Sequence, residues 1–388
     1  MRILMVHNYY QHTGGEDVAF AAEVELLRTH RQEVVEYTEH NRRIEEMGQI
    51  SAAARMAWSR ASQRRIYRKL AAIRPVVAHF HNTFALVSPA SYYACRKIGV
   101  PVVQTLHNYR LLCPAATLFR DGRACEECLG RVVPWPAIRH ACYRGSRPQT
   151  AAVAAMLGLH GRLRTWKNGI DVFIALNEFC KRKFIEGGLP EDKILIKPHF
   201  VSPDPGPREG RGEYALFVGR ISEEKGIRTL LRAWRHLSAM PLVIAGDGPL
   251  MGLVRSASER SKSAQLRVLG RCAREEVFRL MKGARFLVFP SESYETFGLV
   301  LIEAFACGLP VMASRFGVAQ DVVREGLTGM LFAGGQPDDL AEKASWLWTR
   351  PAEGERMGKA ARKEYEEKYT AEHNYRRLME IYRAALEG

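Results

Sequence analysis

No apolar run in the 388 residues approaches the roughly 18 needed to cross a bilayer. The opening MRILMVHNYY reads as a buried strand, because no cleavable apolar core follows it as in a signal peptide. These two lacks make an integral membrane protein a poor fit and a cytoplasmic protein the default. Acidic residues are also short: 42 against 57 Lys and Arg leaves a net charge of +15, which implies anionic partners. Nucleic acid is not favoured among them, since no recognition motif accompanies the arginines and the aromatics are not interleaved as stacking platforms. A complete G-x-G-x-x-G fingerprint is missing after the first strand, which argues against a dinucleotide cofactor.

What is present is a folded, two-domain composition: 47% hydrophobic and 26% charged residues on a chain too long for one ordinary core. Strand candidates alternate with helical periods throughout, the pattern of parallel sheets covered on both faces. The first half offers strands near 2–6, 33–38, 76–80, 101–106, 171–175 and 193–196. In the second half they fall near 214–218, 241–245, 265–269, 285–289, 310–313 and 329–332. Between the halves, PHFVSPDPGPREGRGE is rich in Pro, Gly and charge and reads as a linker. The expected division is a first domain over 1–197 with a Cys-rich insertion at 108–148, a linker at 198–212, a second domain over 213–370 and a terminal helix over 371–388.

The richest stretch is VFPSESYETFGLVLIEAFACGLPVMAS, residues 288–314, which reads as strand, loop, helix, turn, strand. Glu295 falls in the loop at the carboxyl end of the strand and Glu303 inside the helix, at the edge where open α/β sheets bind ligands. Thr296, Phe297 and Gly298 precede that helix, whose free N–H groups and dipole favour phosphate. Elsewhere Gly14 and Gly15 follow the first strand in TGGED, His107 follows another, FVGR…EKG carries Gly219, Arg220 and Lys225, and AGDGP carries Gly246 and Gly248. Gly270 and Arg271 end a further strand.

Taken together, Glu295-TFGLVLI-Glu303 and these landmarks, in this order, resemble the E-x7-E retaining glycosyltransferases of family 4, and the resemblance covers nearly the whole chain. It implies the GT-B fold: two Rossmann-like doubly wound α/β domains facing across a cleft, with the last helix crossing back to the first domain. It further implies a nucleotide diphosphate sugar as donor, UDP-sugar favoured and GDP-sugar the alternative. Arg220 and Lys225 would hold the diphosphate and Glu303 would accept from the ribose hydroxyls. Glu295 and His107 would position the donor sugar, with His81 a weaker candidate. Gly14, Gly15, Gly219, Gly246, Gly248, Arg271, Thr296, Phe297 and Gly298 would line the donor site. No Asp-x-Asp triplet occurs, which fits catalysis by cations and a helix dipole without a catalytic metal. A nucleotide-sugar epimerase and a non-catalytic sugar-nucleotide binder are the rival readings.

Cys113, Cys125, Cys128 and Cys142 fall within 30 residues. A structural zinc is one reading of them; reduced thiols, iron or a disulfide are the others. Cys95, Cys180, Cys272 and Cys307 are isolated and read as buried small hydrophobes. The acceptor is expected to be a saccharide or lipid-linked intermediate of bacterial surface polysaccharide synthesis. Two basic segments, Arg55–Arg74 and Arg139–Lys167 around AAVAAMLGL, suit either peripheral docking on anionic lipid or a solvated helix face.

Overall fold

The computed structural model describes residues 1–11, 14–260 and 265–387. They form two compact units: Met1–Leu118, Cys125–His199 and the chain from Asn374 onward make the first, and Phe119–Ala124 with Phe200–His373 the second.

The first unit holds a parallel six-stranded sheet in the order β2-β1-β3-β4-β7-β8. Its strands are β1 (Arg2–Tyr9), β2 (Glu33–His40), β3 (Val77–Phe80), β4 (Val102–Thr105), β7 (Val172–Ala175) and β8 (Ile194–Ile196). The short hairpin β5 (Phe119–Arg120) and β6 (Arg123–Ala124) intervenes in the chain. Ile3, Leu4, Met5 and Val6 are all fully buried, as expected for a parallel strand covered by helices on both faces. The order reverses direction between β1 and β3, which opens a crevice beyond their carboxyl ends.

The second unit repeats the architecture with β9 (Tyr214–Val218), β10 (Leu242–Ala245), β11 (Leu266–Gly270), β12 (Ala284–Phe289), β13 (Val311–Ser314) and β14 (Gly329–Phe332). All pairings are parallel in the order β11-β10-β9-β12-β13-β14, and its switch point lies between β9 and β12. The core joins Phe217, Ile227, Leu230, Trp234, Phe286, Val288 and Phe332. All twelve expected sheet strands are present, and the expected fold class of two doubly wound α/β units is observed.

The structure adds detail to three sequence readings. The stretch 198–212 is not loose. His199, Phe200 and Val201 are buried, Val201 pairs with Thr370, and the Arg208 guanidinium donates to the Ala284 carbonyl at 2.8 Å and the Gly308 carbonyl at 3.2 Å. The apolar run AAVAAMLGL lies on the helix Arg147–Arg162, where Val153, Ala154, Met156 and Leu157 are buried within the unit. That face is therefore engaged in the core. The expected terminal helix over 371–388 is observed as Ala371–Glu387, and a further helix, Pro351–Lys368, precedes it. Among the described residues, no helix is long and apolar enough to cross a membrane.

Candidate functional site

In the second unit, four loops at the carboxyl ends of adjacent strands are tied into one surface. The Gly219 N–H donates to the Ala245 carbonyl at 3.1 Å, Ile221 N–H to Asp247 at 2.9 Å, and Gly246 N–H to Gly270 at 2.7 Å. Glu292 N–H reaches the Glu224 carbonyl at 2.9 Å, joining the loop after β9 to the loop after β12. Gly246 has φ +151°, and a Cβ there would lie 1.8 Å from the Gly219 carbonyl oxygen. Only glycine lets the two loops approach so closely.

At the switch point itself, the Lys225 ammonium donates to Glu295 Oε1 at 2.6 Å. One partner comes from the β9 loop and the other from the β12 loop. An ammonium has three donors, so this bond leaves others for an anion. Arg220 and Arg271 stand exposed at the same edge, after β9 and β11 respectively. Gly298 caps the helix Leu299–Ala306 in the left-handed region, φ +75°, with the Phe289 ring 3.1 Å from where a Cβ would be. It thus starts the helix at the tip of β12 and aims its free N–H groups out of the sheet edge. Phe297 is buried and meets the Tyr369 ring edge-on at 6.2 Å. Its side chain packs within the second unit.

Glu303 lies one turn inside that helix. Burial raises its carboxyl above the ordinary value, opposed by the Arg274 guanidinium, whose Nε is 3.6 Å from Oε1. Sequence reasoning missed Arg274. The signal was an arginine opening the helix Arg274–Gly283, just after Gly270 and Arg271. Also missed were Thr229 and Glu292, which hydrogen-bond at 2.5 Å and brace the β12 loop.

In the first unit, Gly14 is the extended residue preceding α1 (Gly15–Thr29), and its N–H donates to Asp17 Oδ2 at 2.8 Å. The other oxygen of Asp17 meets His7 Nε2 at 2.7 Å. The glycine pair therefore opens a helix directly beyond β1, with its first turn fixed from beneath.

Beside it runs a buried polar chain. The Lys197 ammonium donates to Glu23 Oε2 at 2.6 Å and to Asn374 Oδ1 at 3.1 Å. Glu23 Oε1 lies 3.2 Å from both His79 Nδ1 and His81 Nε2, and His81 Nδ1 is 2.8 Å from His107 Nε2. His107 stacks on His199 with ring centroids 5.2 Å apart. Burial alone would raise the Glu23 carboxyl, yet Lys197 and the imidazoles outweigh it and hold it well below the ordinary value. Burial first, and then neighbouring imidazoles, keep His107 well below the usual histidine range, while His199 falls to about 3. His107 is thus a neutral hydrogen-bonding ring. The atoms of Glu23, His79 and His81 are close enough to hold a metal ion, but the Lys197 ammonium on the same carboxylate opposes a cation. Sequence reasoning found His81 and His107 but not Glu23, Lys197 or His199. KPH after the last strand of the half was the available clue.

Near the same edge, Asn108 donates to Glu16 Oε2 at 2.8 Å, and burial pushes the Glu16 carboxyl up to about 7. Of the cysteines, Cys95, Cys180 and Cys307 are buried and Cys272 is half-buried. Cys113, Cys125, Cys128 and Cys142 form no disulfide, and the Cys128 thiol is raised to about 12 by burial and by the nearness of the other three.

Residues 202–364 match the family model described as glycosyl transferases group 1. The chain is 28% identical over 330 residues to D-inositol 3-phosphate glycosyltransferase 1 of Catenulispora acidiphila, covering 80% of this chain and 73% of that one. It is 29% identical over 206 residues to an uncharacterized glycosyltransferase of Methanocaldococcus jannaschii, covering 52% of this chain and only 58% of the relative. Among solved structures, Anabaena HepE in complex with UDP superposes with a TM-score of 0.68 at 17% identity over 98% of this chain and 99% of that one. A Rickettsia africae glycosyltransferase superposes with a TM-score of 0.71 at 13% identity, over 100% and 99% of the two chains. The chain has the GT-B fold of these proteins, and the stretch of its second unit over 202–364 is similar to glycosyl transferases group 1.

Proposed function

We propose that the protein is a retaining, metal-independent glycosyltransferase that moves a sugar from a nucleoside diphosphate sugar, UDP-sugar favoured, to a saccharide or lipid-linked acceptor. The observation that carries this reading is the juxtaposition at the second unit's switch point. A lysine with donors to spare, two exposed arginines and a helix N-terminus share one sheet edge, supported by loops that only glycine allows to meet.

A departing diphosphate carries roughly two negative charges, and preorganised cations and N–H groups lower the cost of forming it. Lys225, Arg220 and the amino end of the helix Leu299–Ala306 would take that charge. Glu303 would accept from two ribose hydroxyls, and Arg274 keeps its carboxylate available for this. Glu295, held by Lys225, would orient the sugar. The acceptor hydroxyl attacks the anomeric carbon on the face the diphosphate leaves, its proton passing to the departing phosphate oxygen as the glycosidic bond forms. In the first unit, the neutral His107 is assigned to sugar hydroxyls. The quartet Cys113, Cys125, Cys128 and Cys142 is offered as a structural zinc site on its sequence clustering alone; metal analysis of the purified protein showing no zinc would remove it.

Donor turnover with the anomeric configuration of the product read by NMR tests the whole reading. Retained configuration, with Lys225→Ala at least about ten-fold slower, supports it. Inverted configuration, or unchanged turnover in Lys225→Ala, rejects it.

A further inference from the structure

A second cationic constellation lies in the first unit, outside the residues given roles above. Glu39, near the carboxyl end of β2, is buried. Three guanidiniums from three separate helical segments converge on its carboxylate: Arg43 from the turn Asn41–Ile44, Arg55 from the helix Gln49–Ala57, and Arg65 from the helix Arg60–Ile73. Arg43 bonds to Oε2. Arg65 donates to Oε1 at 3.1 Å and the Tyr37 hydroxyl to the same oxygen at 3.0 Å. Arg55 Nη2 stands 3.5 Å from Oε1, an ion pair without a hydrogen bond.

Three positive groups against one carboxylate leave a surplus of two charges. The surplus is not simply dispersed into water, because Arg55 Nε and Nη2 are both buried and have no acceptor. Buried guanidinium N–H groups without an acceptor are costly and uncommon in folded proteins. Glu39 does not relieve Arg55: Tyr37 and Arg65 donate to Oε1, Arg43 to Oε2, and Arg55 makes no hydrogen bond to either oxygen. Arg43 and Arg65 remain about half exposed, so the cluster is open to solvent on one side and closed behind. The nearest acids in sequence do not fill it: Glu45 is exposed and accepts from Gln11 at 3.2 Å, and Glu46 is exposed. The position is the ligand-binding edge of a parallel sheet, since β2 is the neighbour of β1 and ends on the same side as Gly14.

We propose that Arg43, Arg55 and Arg65 form a phosphate-binding subsite in the first unit. The planar fork of arginine matches tetrahedral oxyanions with two parallel hydrogen bonds, and Glu39 serves as the template that holds the three forks together. The subsite's affinity for phosphate stands apart from the transferase reading. Its use, to seat a phosphoryl group of the acceptor, rests on that reading.

The test is calorimetric titration of the full chain with inorganic phosphate at low ionic strength. A Lys225→Ala background removes the cation assigned to the donor diphosphate. Wild-type cluster residues should bind phosphate in this background. Arg55→Met should weaken binding by roughly ten-fold or more, Arg55→Lys should recover only part of it, and exposed Arg68→Met on the same helix as Arg65 should change it by less than about two-fold. Arg43→Met, at an exposed position, gives the same reading if Arg55→Met fails to fold. Absence of phosphate binding, binding indifferent to Arg43 and Arg55, or an equal loss in Arg68→Met each overturns the proposal. Glycerol 3-phosphate in solution and vesicles containing phosphatidic acid then separate the sources. Cluster-dependent binding of the first alone indicates a soluble phosphoryl group and of the second a lipid headgroup, while cluster-independent binding of both overturns the assignment.

Discussion

The two units carry polar clusters at the same edge of similar sheets, and the clusters differ in who answers whose charge. In the first unit Glu23, Lys197, His79, His81, His107 and His199 are all buried, and most of their polar atoms face one another. In the second, Arg220 and Arg271 are exposed and Lys225 makes one bond to a partly exposed glutamate. A cluster closed on itself fixes the shape and protonation of what it touches, whereas an open one waits for charge from outside. On the proposed function, the contrast fits positioning by the first unit and charge stabilisation by the second.

The largest effect should come from breaking the closed cluster. Glu23→Gln would leave the Lys197 ammonium buried against a neutral amide, and removing one partner of a buried pair costs about 3–5 kcal/mol. Denaturant unfolding should show that loss, while Lys225→Ala, in the open cluster, should unfold within about 1 kcal/mol of the wild type. Activity should show the reverse for Lys225→Ala, a loss of at least about ten-fold in kcat. If Lys225→Ala destabilised the fold as much as Glu23→Gln, the distinction between the clusters would collapse.

Much of this was legible in the sequence, and the reasons are local. Continuous apolar runs such as LVF before Pro290 mark buried parallel strands, and their alternation with helical periods gives the fold class. Glu295, Lys225 and Gly298 stand out because each sits a few residues beyond such a run, where only the sheet edge is available. Arg274, Glu23 and Lys197 did not stand out. Arg274 and Glu23 lie on helices and Lys197 just beyond a strand, at positions that also suit an ordinary surface charge, and only tertiary packing brings Lys197 to Glu23, 174 residues away. The stretch read as a linker, 198–212, does hold the boundary between the two units, but its Pro and Gly signal irregular backbone and not the contacts that hold it in place. Arg208 and Val201 pin that irregular backbone to the second unit.

A smaller effect sharpens the comparison through pH. Glu16 has its carboxyl raised from 4.5 to about 7 by burial. The folded state therefore holds a proton that the unfolded chain gives up between those values, and this contribution to stability is full below pH 4.5 and lost as pH rises through about 7. Glu16→Gln should flatten the decline of the melting midpoint across that window, by roughly 2 °C or more. A wild-type and variant midpoint falling in parallel would show that Glu16 titrates normally.

The most direct test of the central claim, that the open cluster of the second unit binds a nucleoside diphosphate sugar, is thermal melting with UDP, GDP, ADP and their sugar conjugates, without added metal, on the wild type and Glu303→Ala. Ligand at about a hundred times its dissociation constant should stabilise the fold by nearly 3 kcal/mol. The account predicts a shift with one base, UDP foremost, that is lost in Glu303→Ala. An equal shift in the variant, or no shift with any nucleotide, would contradict it.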